Sequence, residues 1–266
     1  MPDDEIFSTL RRSRRVWAVA SIHGEAERLD AMHKELFARL EPGDRIVYLG
    51  NYLGHGAGIR ATMDNLLRFR RAVIARPGMF AADVVHLRGS QEEMWQKLLQ
   101  LQFAPNPAEV LRWMLDQGVG PTLATYGGDA ERALVIFRQG AMAITRWTGE
   151  LREALQRTPG HYSLLVSLRR AAFTDDGALL FVHAGVDVSR PLLTQSDALW
   201  WGSDGFSKID RSYSGFKRIV RGFDRSHPGV QLTDWTASID GGCGSDGKLI
   251  AACFDPDGGI ADTIEV

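Results

Sequence analysis

The sequence predicts an α/β protein. Three observations lead there. Strand-like and helix-like segments alternate over the first hundred residues, which is the pattern of stacked βαβ units. The segments between strands carry apolar residues at helical spacing, as in Leu29, Met32, Leu36 and Leu40. Residues able to do chemistry fall just after the strands, where open α/β sheets bind their ligands.

Each element follows from its own residues. Residues 15–20 (Arg-Val-Trp-Ala-Val-Ala) read as a buried strand that stops at Ser21 and Gly24. Residues 25–40 form a helix ended by Glu41-Pro42-Gly43-Asp44. Residues 45–49 are the next strand, and residues 59–76 a helix closed by Pro77-Gly78. A strand at 83–87 leads to a helix at 91–101. The middle reads as helices at 107–117, 129–155 and 162–171, with a loop at 118–128. Strand character returns at 178–183, 230–239 and 248–254. No repeat or linker divides the chain, so residues 15–266 are read as one domain preceded by a tail, 1–14. The basic cluster Arg11, Arg12, Arg14 and Arg15 is read as a solvated lead-in to the first strand.

Bulk properties bound the function. The 266 residues carry a net charge of −2, with 44% hydrophobic and 24% charged residues. That balance gives no footprint for nucleic acid or an anionic membrane, and no apolar run approaches the roughly 18 residues of a membrane helix. No stretch near the start has the apolar core of a signal peptide, so a cytoplasmic protein is expected. The two cysteines are Cys243 and Cys253. In a hairpin of 236–243 and 248–254 they would lie at different distances from the turn, so two reduced core thiols are expected.

The loops after the strands carry the most information. They read Ala20-Ser21-Ile22-His23-Gly24, Gly50-Asn51-Tyr52-Leu53-Gly54-His55-Gly56, Arg88-Gly89-Ser90-Gln91-Glu92 and Val182-His183-Ala184-Gly185, with Gly222-Phe223-Asp224 further on. Their order and spacing resemble the calcineurin-like metallophosphoesterases, most closely the bacterial serine/threonine phosphatase and diadenosine tetraphosphatase branch. In that family the first four read Gly-Asp-x-His-Gly, Gly-Asp-x-x-Asp-Arg-Gly, Arg-Gly-Asn-His-Glu and Val-His-Ala-Gly, and the last Gly-His-Thr. Thr122-Leu123-Ala124-Thr125-Tyr126-Gly127, Arg190-Pro191-Leu192 and Leu199-Trp200-Trp201 add to the likeness, which spans about 16–255. It implies a sandwich of two mixed β-sheets flanked by helices.

The same likeness implies that the chemistry is gone. Family enzymes hold two divalent ions about 3.5–4 Å apart, which need anionic ligands. By correspondence Ser21 and Asn51 replace the aspartates, Ser90 the asparagine and Phe223 a histidine, leaving His23 and His183. Gln91 stands for the general-acid histidine, Gly54 for its aspartate partner and His55 for the phosphate-gripping arginine. Ser21, Asn51, Gly54, His55, Ser90, Gln91, Glu92, Phe223 and Asp224 are thus expected to line a vestigial pocket, with Glu92 capping its helix. His23 and His183 are either buried relics or ligands of a single weakly bound Mn, Mg, Fe or Zn ion, with Asn51 or Asp224 as a rebuilt ligand; otherwise no cofactor is expected. Arg88, Arg190 and Arg221 are candidates to bind an anion.

Three functions remain open at this stage. The first is a pseudophosphatase that binds a protein partner or a phosphorylated small ligand. The second is a hydrolase with a rebuilt site using His23, His183 and His55 or Asp224. The third is an interaction module whose pocket is plugged by Phe223, Trp200 and Trp201.

Overall fold

The computed structural model describes residues 6–202 and 205–266. The first unit is β2 (Val16–Val19), α1 (Ala26–Arg39), β3 (Arg45–Tyr48), α2 (Ile59–Ile74), β4 (Val84–His86) and α3 (Ser90–Leu98). Strands β2, β3 and β4 run parallel, joined through their helices as the alternation required. A helical stretch follows: α4 (Pro107–Asp116), α5 (Gly120–Thr125), α6 (Ala130–Phe137), α7 (Ala141–Arg157) and α8 (His161–Val166). The chain then supplies β5 (Ala171–Thr174), β6 (Leu179–Val182), α9 (Ala198–Trp201), β7 (Arg218–Arg221), β8 (Gln231–Leu232), β9 (Thr236–Ser238), β10 (Ile250–Phe254) and β11 (Ile260–Glu265). With β1 (Phe7–Leu10), these build two mixed sheets, ordered β1-β5-β6-β7-β9-β8 and β11-β10-β2-β3-β4.

Strand alternation places the core. Val16, Ala18, Val47, Val85, Ala252 and Phe254 meet Leu179, Phe181, Val220 and Ala237 between the sheets. Their neighbours Trp17, Val19, Ile46, Tyr48 and Val84 face outward onto Leu29, Met32 and Leu36 of α1 and Met63 and Leu66 of α2. Because both faces of β2 are covered, its sequence is uninterruptedly apolar. On the other side Leu180, Val182 and Ile219 pack under Leu199, Trp200, Phe206 and Tyr213. The result is a sandwich of two sheets flanked by helices, as the family likeness implied.

Several boundaries differ from expectation, each for a local reason. Phe7–Leu10, read as tail, is a strand paired in parallel with β5, because Phe7 and Leu10 find apolar faces there. The segment 129–155 is two helices, since Gly140 at φ 93 breaks the helical path before α7. The helix expected to 171 stops at Val166, and the chain leaves to let Arg169 N donate to His86 O at 2.9 Å. Residues 118–128 contain α5, with Pro121 in its first turn, where a missing N–H is harmless. Residues 230–239 bend rather than run straight: Thr233 Oγ1 accepts from Trp235 N and Thr236 N, folding β8 against β9. Strands β9 and β10 belong to different sheets, so the expected hairpin becomes a crossing between layers, with a bridge at Gly242 and Lys248. Cys243 and Cys253 are both buried and free. No helix among the described residues is long and apolar enough to cross a membrane.

Candidate functional site

The site forms where the carboxyl ends of β2, β3, β4, β6 and β7 come together. Backbone bonds tie these ends across the sheets: Ser21 N donates to Gly222 O (3.1 Å), Gly222 N and Phe223 N to His183 O (3.1 and 3.0 Å), and Ile22 N to Asn51 O (3.0 Å). His23 and Asn51 both adopt left-handed backbone, φ 54 and 55. Such conformations in non-glycine residues persist only where their surroundings enforce them.

Glu92 supplies that enforcement. Its buried carboxylate accepts four backbone N–H groups, from Gly89 (2.8 Å), Asn51 (2.9 Å), Tyr52 (2.8 Å) and Leu53 (3.0 Å). It therefore caps α3, as expected, and also moulds the 51–53 loop. Burial pushes its carboxyl up in pKa, while the four donors oppose the shift.

Asn51 sits at the centre, fully buried. Its Oδ1 accepts from Gln91 N (2.9 Å) and Ser90 Oγ (3.0 Å). A backbone N–H only donates, so the amide orientation is fixed and Nδ2 is the donor. It faces His23 Nε2 at 3.3 Å and Ser21 Oγ at 3.4 Å. His23 Nε2 must then accept, which places the ring hydrogen on Nδ1, an atom without a partner. His183 is set the other way. Its Nδ1 donates to Leu49 O (2.7 Å), leaving Nε2 as a bare, buried lone pair. Burial drives His23 down to about 3 and His183 to about 4, so both are neutral near pH 7.

Phe223 covers this pair. Its ring stacks on His183 at 5.3 Å and 9°, and lies edge-on to His23 at 6.3 Å. Gln91 turns away from the interior to donate from Nε2 to Gln117 O (2.7 Å). His55 is exposed, edge-to-face with His23 at 5.1 Å, and packed against Gly118. Gly54, at φ 120, leaves no room for a side chain: a Cβ there would fall 2.8 Å from Gln91 Cδ and 3.0 Å from His23 Nδ1. Gly54→Ala is expected to destabilise the fold by about 1–3 kcal/mol, measured by chemical denaturation.

Above these residues lies a cavity of about 260 Å³. His23, His55, Ser90, Gln91 and Phe223 line it, together with Trp200 and Trp201. The aromatic residues narrow it rather than plug it. Trp113, Gln117, Arg225, His227, Cys243 and Ser245 also line it, none of them a site residue expected from the sequence. They come from distant parts of the chain and carry no motif; only the fold gathers them.

The candidate anion-binding arginines are not part of this lining. Arg88 is held on α3 by Glu93 (3.2 Å) and Gln96 (2.6 Å). Arg190 is exposed beside Asp187 (3.4 Å). Arg221 follows Val220, which faces the sheet interface, so alternation turns it to the opposite face. There it pairs with Asp224, donates to Ser238 Oγ (3.2 Å) and lies 4.3 Å over the Phe206 ring. Asp224, the candidate rebuilt ligand, is engaged in that pair and in the Ser226 turn.

A two-ion centre would need anionic donors around Asn51. Ser21, His23, Asn51, Ser90 and His183 are all neutral. The carboxylate bonded to this loop, Glu92, is saturated by N–H groups on its inner side. Among the described residues no three His, Cys, Asp or Glu side chains are grouped to hold an ion. A pair of dications requires bridging negative charge, and these residues do not fit one.

No protein-family model matches the chain, and no curated protein is similar to it. Solved structures are. One described as a candidate diadenosine tetraphosphatase is 17% identical, spans 98% of each chain and has a TM-score of 0.54. A serine/threonine phosphatase from Saccharomyces cerevisiae is 12% identical over 99% of this chain and 83% of its own, with a TM-score of 0.51. A cold-active protein tyrosine phosphatase is 13% identical over 99% and 80%, with a TM-score of 0.50. The chain has the calcineurin-like metallophosphoesterase fold.

Proposed function

We propose that this protein is a catalytically degenerate phosphatase, one that binds through its former active-site cleft without hydrolysing phosphoesters, in a regulatory or scaffolding role. The observation that carries this reading is the hydrogen-bond closure of Asn51. A bridging ligand must turn lone pairs toward two ions. Asn51 Oδ1 is instead occupied by Ser90 and Gln91, and its other face is a donor. The general-acid position holds an amide tied to Gln117, and an amide has no proton to give at neutral pH. A hydrolase with a rebuilt site would need a carboxylate beside His23 or His183, and Asp224 is engaged elsewhere.

Metal analysis of purified protein, followed by assay of a generic phosphoester with Mn²⁺, tests this. The expected result is no stoichiometric metal and no turnover above the His183→Ala variant. Two ions per chain with turnover abolished by His183→Ala would overturn it.

A further inference from the structure

Helix α3 borders two cavities. Gln91 and Met94 line the cleft over Asn51. Glu92, Trp95, Gln96 and Leu99 recur at helical spacing on an adjoining face and line a second cavity, of about 310 Å³. Residues of α7 and α8 close its other side, and it shares no lining residue with the cleft.

The walls of this cavity are apolar from floor to mouth. Leu155 and Leu168 are buried at its base, with Leu99 and Leu165 half-buried beside them. Tyr162 and Val166 stand one turn apart on α8, so they share a face. Both line the cavity while 46% and 59% exposed, which leaves a hydrophobic rim open to water.

The charges in these walls do not cancel. Arg88 is paired with Glu93 at 3.2 Å. Glu92 is 3% exposed, and its oxygens are taken by four N–H groups. Arg152, half-buried on α7, donates from Nη2 to Leu99 O, and no carboxylate pairs with it among the described residues. An arginine drawn against apolar walls ordinarily has such a partner. The guanidinium nitrogens that Leu99 does not use are open to solvent rather than sealed in the core, so a ligand can reach them.

We infer that this cavity binds a monocarboxylate with a compact apolar body. The carboxylate sits on the planar fork of Arg152, and the body packs against the leucines, Tyr162 and Val166. A single negative charge matches the unpaired arginine. A dianion would bring a second charge for which the lining holds no second unpaired cation. A cavity of roughly 150 Å³ holds benzene, so one of about 310 Å³ has room for a ring or short chain together with its carboxylate.

Octanoate, phenylpropanoate and, as an uncharged control, octanol are titrated into the full chain up to millimolar concentration, with calorimetry as readout. At least one of the two carboxylates is expected to saturate a single site, with octanol at least tenfold weaker. Arg152→Gln should weaken that carboxylate about tenfold or more, the worth of a hydrogen bond to a charged group. Val166→Glu places a negative charge at the exposed rim without touching the core, so it stays folded and should weaken binding as well. Failure of both carboxylates to saturate, octanol binding as tightly as octanoate, or unchanged affinity in both variants would overturn the inference. The site lies outside the cleft, so the result stands whether or not the cleft proves catalytic.

Discussion

Acidification from pH 7 to pH 5 is expected to remove most of this protein's stability. Four histidines are buried and neutral: His23, His33 and His86, each pushed down to about 3, and His183, to about 4. Burial is the leading cause in all four, because a charged imidazole there would lose its water. Unfolded, each returns to its usual 6.5. Between about 6.5 and their native values the unfolded chain binds more protons, so stability is complete above 6.5 and falls with pH below it. At pH 5 each contributes a loss of about 2 kcal/mol, and the four together about 8 kcal/mol. That rivals a typical total stability of roughly 5–15 kcal/mol. Glu92, raised by burial, and His227, raised by its hydrogen bond to Asp240, act in the opposite sense, since each keeps a proton that the unfolded chain releases first, but they are two groups against four. Circular dichroism against pH should show a cooperative transition between about 6.5 and 5. Full native signal at pH 4 would contradict this account.

The second large effect is expected at Glu92. Glu92→Leu leaves the N–H groups of Gly89, Asn51, Tyr52 and Leu53 without their acceptor in a buried loop. An unsatisfied buried donor costs about 1–3 kcal/mol, so four of them cost about 4 kcal/mol even at the low end of that range. For a chain of this size that lowers Tm by roughly 10 °C or more. Glu92→Gln, which keeps one accepting oxygen, should fall between the variant and the parent. Thermal unfolding of the three proteins checks the order. A loss below about 1 kcal/mol for Glu92→Leu would mean that the loop is held by something else.

The fold was legible because its signals are local and repeated. The apolar run Val16–Val19, the spacing of Leu29, Met32 and Leu36 and the punctuating Pro-Gly pairs each specify one element, and the loop motifs fix their order. The errors fell where tertiary pairing decides. Phe7–Leu10 is a strand only because β5 is beside it, and β7, with an arginine at each end, shows its role only between β6 and β9. The site was legible to the extent that it sits on motifs. Ser21, His23, Asn51, Ser90, Gln91, His183 and Phe223 are gathered at the strand ends. The arginines were misplaced because strand alternation and ion pairs, invisible in a motif, turn Arg221 and Arg88 away. The aromatic character of the cleft was half visible in Trp200 and Trp201. Trp113 arrives from a helix 88 residues before Trp201 and needed the fold to be placed.

The central claim is that a neutral hydrogen-bonded network around Asn51 stands where a two-ion centre would be. Thermal unfolding in EDTA and then in millimolar Mn²⁺ addresses it directly, because any ion bound only by the native state must stabilise it. A site with Kd a hundredfold below the free metal concentration adds about 2.7 kcal/mol, a Tm rise of roughly 5–10 °C at this size. The account predicts the same Tm in both buffers. A saturable rise of that magnitude, lost on replacing His23 or His183, would contradict it.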